Sequence, residues 1–329
     1  RSISNLSLYI YSVALVRRMP SKNPSGAKKG KQGKQEKKGG SLSSSSDASA
    51  IDPSYGEKER EEQEIERQRI LYELYGKYKK TRTKLSFLSL DVSKVPYGPF
   101  QRRDCCVIVP YRDSPEQPRA HMLDTILDLF SRARIPVVVA EQASDGRKFN
   151  RGAMLNVGYL CARMMQRFDV FVFNDVDLLP DAPLLQYYGI CASDAPLHMA
   201  GPRQQHKYPF QDIYGGIISM TGSQFERING YPNSFWGWGG EDDAMYNRVA
   251  RTFGKTYRPV DGFANEMRHS KTDEIPGMVN AEKRDNILRD LVAWEGDGVK
   301  SASFFAGTRL TPVNRGDWFV RVRVDLPFV

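Results

Sequence analysis

Cysteine is scarce in this chain of 329 residues: only Cys105, Cys106, Cys161 and Cys191 occur. Two are adjacent and two stand alone, and no pair has zinc-ligand spacing, so neither a disulfide scaffold nor a zinc motif is encoded. One bridge could form; free buried thiols are the favoured state, which leaves the redox compartment open. No apolar run reaches the roughly 18 residues that a membrane-spanning helix needs. The nearest is LSLYIYSVALV, Leu6 to Val16, followed by Arg17 and Arg18. It reads either as the remnant of a signal anchor or as sequence ahead of a start at Met19. Also lacking are a phosphate-binding Walker loop, a G-x-G-x-x-G turn between a strand and a helix, and a G-x-S-x-G elbow, so nucleotide-triphosphate, dinucleotide and serine-hydrolase chemistry have no foothold. Histidine is limited to His121, His198, His206 and His269.

Positive charge is plentiful but confined. Between Arg17 and Gly40 nine basic residues stand against the single acid Glu36, which accounts for all but about one unit of the formal charge of +9. The basicity belongs to a tail, and the rest of the chain is nearly neutral. That tail, rich in Lys, Gly and Ser through SLSSSSDASA, cannot bury enough apolar surface to offset its ordering entropy and is expected to be disordered over residues 1–56. Residues 57–100 are densely charged, with a narrow stripe of Ile65, Leu71, Leu74 and Tyr75, and read as a solvated helical stem or linker.

Residues 101–329 have the composition of one folded domain. CCVIVP and IPVVVA are short β-branched runs that read as buried strands, and RAHMLDTILDLFSRA between them carries Met122, Ile126, Leu129 and Phe130 at helical spacing. Strand, helix, strand is a βαβ unit, which implies a parallel sheet. GAMLNVGYLCARMMQRF follows, with Met154, Val157, Cys161, Met164, Met165 and Phe168 on one predicted face, and leads into the strand DVFVFNDVDLLP. The fold class is therefore α/β, with a mostly parallel, open twisted sheet and flanking helices. The alternating SASFFAG and DWFVRVRVDL near the end read as a C-terminal antiparallel hairpin or edge strands.

Ligands of parallel α/β sheets bind beyond the carboxyl ends of the strands. Asp175 and Asp177 stand at such an end, and two carboxylates one residue apart in an extended segment face the same way and could hold a hard divalent cation; a solvated turn is the alternative. FWGWGGEDDA, Phe235 to Ala244, combines Trp236, Trp238 and a Gly-rich approach with Glu241, Asp242 and Asp243. The acids open a predicted helix that stops at Gly254, so stabilisation of its first turn explains them in part. It does not explain the tryptophans. Aromatic rings beside carboxylates suit a sugar, whose C–H faces stack while its hydroxyls donate to acids. His269 lies close in sequence to Glu266.

Four motifs, FNRGAMLNVGY, FVFNDVDLLP, YGGIISMTGSQFERINGYPNSFWGWGGEDDAMYNR and MRHS, occur in an order and spacing that resemble the β-1,4-galactosyltransferase family. The similarity runs from about Arg102 to VRVRVDLP. The resemblance implies a GT-A type fold and an inverting, Mn²⁺-dependent transfer of a sugar from a UDP-sugar to an acceptor hydroxyl. It implicates Pro110, Tyr111, Arg112, Arg151, Asp175, Ile213 and Trp238 in donor binding. Tyr214, Gly239, Gly240, Glu241 and Asp243 would serve the acceptor, Asp242 would be the catalytic base, and Asp177 and His269 would hold the metal. Three positions depart from the family pattern. Ser114 stands where a second donor-binding Arg is usual. Glu266 replaces a soft Met ligand, a harder donor that implies tighter Mn²⁺ binding and tolerance of Mg²⁺. Ile213 replaces a Tyr, which leaves room for an acetamido group, so UDP-GalNAc joins UDP-galactose as donor. The acceptor would be a glycan of a glycoprotein, glycolipid or proteoglycan, and the compartment the Golgi, with the cytoplasm left open because no intact anchor is visible. No nucleic-acid partner is required. The rival reading is an inactive protein of this fold whose basic tail makes it a nucleic-acid-associated or scaffolding module.

Overall fold

The computed structural model describes residues 53–95, 100–165, 167–205, 210–270, 274–302, 309–315 and 318–326. Residues 1–52, with the apolar run and nearly all of the expected disordered tail, lie outside the described residues. The chain divides into two compact units, Arg1–Gly76 and Lys77–Val329. Helix α1 spans Pro53–Thr81, so the last residues assigned to the tail are helical. Its Ile65 is 70% exposed, and ion pairs one turn apart, such as Arg67–Glu64 at 3.3 Å, decorate its surface. No described helix is long and apolar enough to cross a membrane.

The second unit contains, in chain order, β1 (Ser86–Leu90), β2 (Phe100–Arg102), β3 (Cys105–Tyr111), α2 (Ala120–Arg132), β4 (Val137–Gln142), α3 (Arg151–Met165), β5 (Val170–Asn174), β6 (Leu178–Pro180), α4 (Ala182–Leu185), β7 (Ile190–Ala192), β8 (Leu197–His198) and β9 (Ile217–Thr221). After these come α5 (Gly222–Arg227), α6 (Glu241–Phe253), β10 (Lys255–Pro259), β11 (Ala264–Glu266), α7 (Lys283–Ala293), α8 (Val299–Ala302), β12 (Arg309–Arg315) and β13 (Phe319–Asp325). Among the described residues, nine strands form the main sheet in the order β1-β10-β8-β9-β5-β3-β4-β13-β12. β3 runs parallel to both β4 and β5, as the predicted βαβ unit requires. β9 is antiparallel to β5 and β8. The C-terminal hairpin is present, antiparallel between β12 and β13 with a bulge at Pro312/Asn314, and β13 joins it to the sheet in parallel with β4. Ser301 and Ala302, predicted to extend, are instead the end of α8. The stretch expected to be linker also holds an element of the fold: Ser86–Leu90 pairs with β10 and forms one edge of the sheet.

Both faces of the sheet are covered, and the core divides between them. Ile108, Phe171 and Phe173 belong to one cluster with α3 and α6, while Val107, Val109 and Val172 belong to the other with α2. On α2, Met122, Leu123, Ile126 and Phe130 are buried. Helix α3 departs from the predicted single face. Ten of its residues are buried, whereas Met164 and Met165 are 72% and 47% exposed and Phe168 lies beyond the helix end. The cause is Gly152 and Gly158: a Cβ on Gly152 would sit 2.3 Å from the Pro232 carbonyl oxygen, and one on Gly158 2.5 Å from Ile108 Cγ2. The absent side chains let α3 be gripped from two sides, so its buried surface wraps around the helix. All four cysteines are free thiols; burial pushes the thiols of Cys105 and Cys161 up to about 11.

Candidate active site

The carboxyl ends of β3 and β5 and the N-termini of α3 and α6 meet at one cavity. Pro110 and Arg112 from the end of β3, Arg151 from the start of α3, Asp175 and Asp177 after β5, and Glu241 and Asp242 from the first turn of α6 all line it. Ile213, Gly215, Trp238 and His269 complete the walls. Most of the residues singled out from the sequence are therefore brought together across the fold.

Arg151 is the hub. Its Nε donates to Asp175 Oδ1 at 2.7 Å and its Nη1 to Asp242 Oδ1 at 3.0 Å, with Glu241 Oε1 at 3.8 Å from the same Nη1. Burial pushes the Asp242 carboxyl well above the usual carboxylate range; Arg151 pulls it back, and Glu241, Asp175 and Asp243 push it further up. Glu241 is raised by the same burial, again opposed by Arg151. Three buried polar atoms here, Arg151 Nη2, Glu241 Oε2 and the Tyr231 hydroxyl, have no hydrogen-bond partner among the described residues. Such atoms are costly unless water or a ligand satisfies them. Gly215 lies directly against Asp242: a Cβ there would be 2.3 Å from Asp242 Oδ2, so a larger residue would displace the carboxylate.

Asp175 and Asp177 do not share a face. The segment after β5 turns, with the Leu178 amide donating to the Asp175 carbonyl at 3.1 Å, and the turn separates the two carboxylates that an extended chain would have aligned. Asp175 faces Arg151, whereas Asp177 Oδ2 faces His269 Nε2 at 3.3 Å. Asp177, Glu266 and His269 form a cluster whose ligand atoms all lie within 4.8 Å of one another. His269 Nδ1 donates to the Met267 carbonyl at 3.0 Å, because a carbonyl can only accept. In the neutral ring that leaves the Nε2 lone pair pointing at a carboxylate. Two acceptors facing each other need a cation or a proton between them, and two carboxylates with one imidazole fit a hard or borderline divalent ion.

Several expected binders lie elsewhere. Asp243 does not line the cavity: consecutive helical positions rotate by about 100°, which turns its carboxylate to Lys79 Nζ at 3.0 Å and Arg82 Nη1 at 3.4 Å. Tyr214 is buried beneath the wall, its hydroxyl 3.2 Å from Thr256 Oγ1. Tyr111, the last residue of β3, is buried, with the Arg321 guanidinium 5.0 Å from its ring centroid. Gly239 and Gly240 do not line the cavity; Gly240, at φ +102°, is the N-cap of α6. Trp238 does line it. Its backbone is strapped to a neighbouring loop, its amide donating to the Met278 carbonyl at 2.9 Å and its carbonyl accepting from the Asn280 amide at 3.0 Å.

The sequence reading missed Arg119, whose side chain reaches the cavity beside Gln117 and Ser114. Ser114 and Gln117 form a small antiparallel bridge, and the Asp113 carboxylate accepts from the Arg119 amide at 2.6 Å. This turn carries the chain back so that Arg119 follows Ser114 in space, which no local pattern announces. The Arg112 guanidinium is also held at the rim, donating to the Arg147 carbonyl at 2.7 Å.

Comparison with known proteins gives a consistent picture. Residues 61–190 match a family model described as the N-terminal region of glycosyl transferase group 7, and residues 195–270 one described as the N-terminal domain of galactosyltransferase. The chain is 30% identical to Beta-1,4-galactosyltransferase 4 of Homo sapiens over 245 residues, 71% of this chain and 69% of that protein. It is 32% identical to Beta-1,4-galactosyltransferase 2 of Mus musculus over 241 residues, 70% and 63% of the respective lengths. Among solved structures, the catalytic domain of Drosophila beta1,4galactosyltransferase 7 in complex with xylobiose superposes with a TM-score of 0.51 at 23% identity, covering 68% of this chain and 94% of that one. At that identity the likeness establishes the GT-A fold.

Proposed function

Given that the chain belongs to the β-1,4-galactosyltransferase family, we propose that it transfers galactose or N-acetylgalactosamine from the UDP-sugar to a hydroxyl of an acceptor glycan, with inversion and in β-1,4 linkage. The observation that carries this reading is the meeting of Asp242, Arg151 and Asp175 with the Asp177–Glu266–His269 cluster in one cavity.

Asp242 takes the proton of the acceptor hydroxyl as that oxygen attacks the anomeric carbon. The bond from that carbon to the diphosphate oxygen breaks, and UDP leaves. A carboxylate raised by burial is a stronger base than one in water, and general-base help of this kind is worth about 10²–10⁴ in rate. Arg151 favours the ionised form of Asp242 against its burial and orients Oδ1 at 3.0 Å, leaving Oδ2 for the acceptor. Glu241, with its unpaired Oε2, and Asp175 accept from sugar hydroxyls. Arg112 and Arg119 offer the donor phosphates two guanidinium groups, the second supplying the cation that Ser114 does not. Trp238 gives the sugar an apolar face. Asp177, Glu266 and His269 are the residues that would hold Mn²⁺, with Mg²⁺ tolerated, and the bound ion supplies Lewis-acid neutralisation of the leaving diphosphate. The acceptor is a glycoprotein, glycolipid or proteoglycan glycan, and the compartment the family suggests is the Golgi lumen.

A donor screen tests the reading. UDP release from UDP-galactose, UDP-GalNAc, UDP-GlcNAc and UDP-glucose is measured with Mn²⁺ and then with Mg²⁺. Turnover of either of the first two, and little of the others, is expected. Binding of UDP without turnover of any donor would leave only the rival scaffold role.

A further inference from the structure

The wall of the cavity that carries Ile213 and Gly215 is not a free loop; two charged or polar side chains from the sheet hold it from behind. His198, from β8, is fully buried. Its Nε2 lies 3.0 Å from the Gly215 carbonyl oxygen, and since that oxygen can only accept, Nε2 carries the proton. Nδ1 is then the bare nitrogen, and it accepts from Arg258 Nε at 3.1 Å. Arg258, on β10, donates from Nη2 to the Ile213 carbonyl at 2.9 Å. Strands β8 and β10 are neighbours in the sheet, paired at Leu197 and Tyr257. One continuous chain of hydrogen bonds therefore runs from the Ile213 carbonyl through Arg258 and His198 to the Gly215 carbonyl.

The residue between these two carbonyls is fixed as well. The Tyr214 ring packs on the His198 ring, centroids 4.8 Å apart, and its hydroxyl meets Thr256. On the far side the Arg258 guanidinium lies 3.6 Å from the centroid of the Phe87 ring, on β1. With Tyr214 directed inward, Ile213 and Gly215 are presented to the cavity on either side of it, and Gly215 touches Asp242. Burial pushes His198 down to about 3, so its neutral tautomer persists around neutral pH.

The geometry points to His198 and Arg258 as positioning residues that set which donor sugar the cavity accepts, by fixing the backbone of Ile213–Gly215 against Asp242. This rests on the reading of the cavity as a UDP-sugar site. Neither side chain lines the cavity, so both act through the wall. Selectivity between galactose and N-acetylgalactosamine is then a property of the sheet behind Ile213 as much as of Ile213 itself. A shift of the wall by the width of a methylene is worth about 10–200-fold in discrimination.

The test compares the purified wild-type chain with Arg258→Lys, His198→Leu and His198→Gln. For each, kcat/KM for UDP-galactose and for UDP-GalNAc, the Kd of UDP alone, and the thermal midpoint are measured. Lysine keeps the charge but cannot reach both His198 and Ile213; leucine fills the site and makes neither bond; the glutamine amide can donate to Gly215 and accept from Arg258. Expected are a change of about tenfold or more in the ratio of the two kcat/KM values for Arg258→Lys and His198→Leu, UDP affinity within twofold of wild type, and a ratio near wild type for His198→Gln. An unchanged ratio in both disruptive variants overturns the inference. So does a loss of UDP affinity in step with a loss of turnover, which marks general destabilisation. A wild-type chain that turns over neither donor overturns the reading of the site, and this inference with it.

Discussion

In the proposed reaction Asp242 concentrates the chemistry in one side chain, and its placement carries a cost. Its folded-state pKa lies well above the ordinary carboxylate value because burial and three nearby acids outweigh Arg151. The sign of the linkage is then the reverse of a salt-bridged acid: the ionised form is penalised on folding, the penalty is complete only above the raised pKa, and it shrinks as pH falls from there toward the unfolded value. Asp242→Asn should therefore reduce kcat by about 10²–10⁴ while leaving the thermal midpoint at pH 7 equal to or above that of wild type. Any gain should shrink as pH falls toward the ordinary carboxylate range in a series of melting curves. The acid limb of the wild-type rate profile should lie above the usual carboxylate range and move higher still in Arg151→Leu. At this scale the sequence was informative about identity and less so about direction. Asp242, Glu241 and Arg151 were recognisable from composition and motif, but three adjacent acids on one helical turn cannot all face one cavity, and Asp243 meets Lys79 and Arg82 instead.

Helices and strands place these side chains, and α3 does so by close approach. Gly152, directly after Arg151, leaves no space for a Cβ beside the Pro232 carbonyl. Gly152→Ala gains at most about 1 kcal/mol of helix propensity and incurs about 1–3 kcal/mol of overpacking. The second outweighs the first, so a lower thermal midpoint is expected. The start of the helix must move to relieve the clash, so kcat should fall with it; an unchanged midpoint and kcat would show that the contact yields freely. The positions of β3, α2, β4 and β5 were legible because β-branched runs and a 3.6-residue period are local signals. The turn at Asp175–Leu178 was not, since Asp is at home both in turns and at strand ends. Nor was the all-round burial of α3, which depends on what two distant segments press against its glycines.

At the scale of the whole molecule, metal binding at the proposed site would be a stability term. A divalent ion held by Asp177, Glu266 and His269 would bind the folded chain alone, because the fold brings these ligand atoms within 4.8 Å of one another. At a hundredfold excess over Kd it stabilises by about 2.7 kcal/mol. Melting curves with Mn²⁺ should shift upward, a smaller shift should appear with Mg²⁺, and Glu266→Gln and Asp177→Asn should each abolish most of the effect. An equal shift in both variants would place the ion elsewhere. The α/β class, the parallel sheet and the terminal hairpin were readable along the chain, yet the strand order was not. β1 pairs with β10, and β13 slots between β4 and β12, because pairing at such separations is decided by packing of the assembled layers.

That last placement has a consequence for biosynthesis. Arg321 on β13 grips Glu141 on β4 across 180 residues of sequence. Until the ribosome has released β13, the apolar edge Val137–Val139, flanking the strand that leads to the cavity, has no β13 partner on that side. The nascent chain therefore leaves this sheet edge unpaired by β13 while the 180 residues after Glu141, through Arg321, are made. Closing it is a late, long-range step of the kind that makes folding slow and chaperone-dependent.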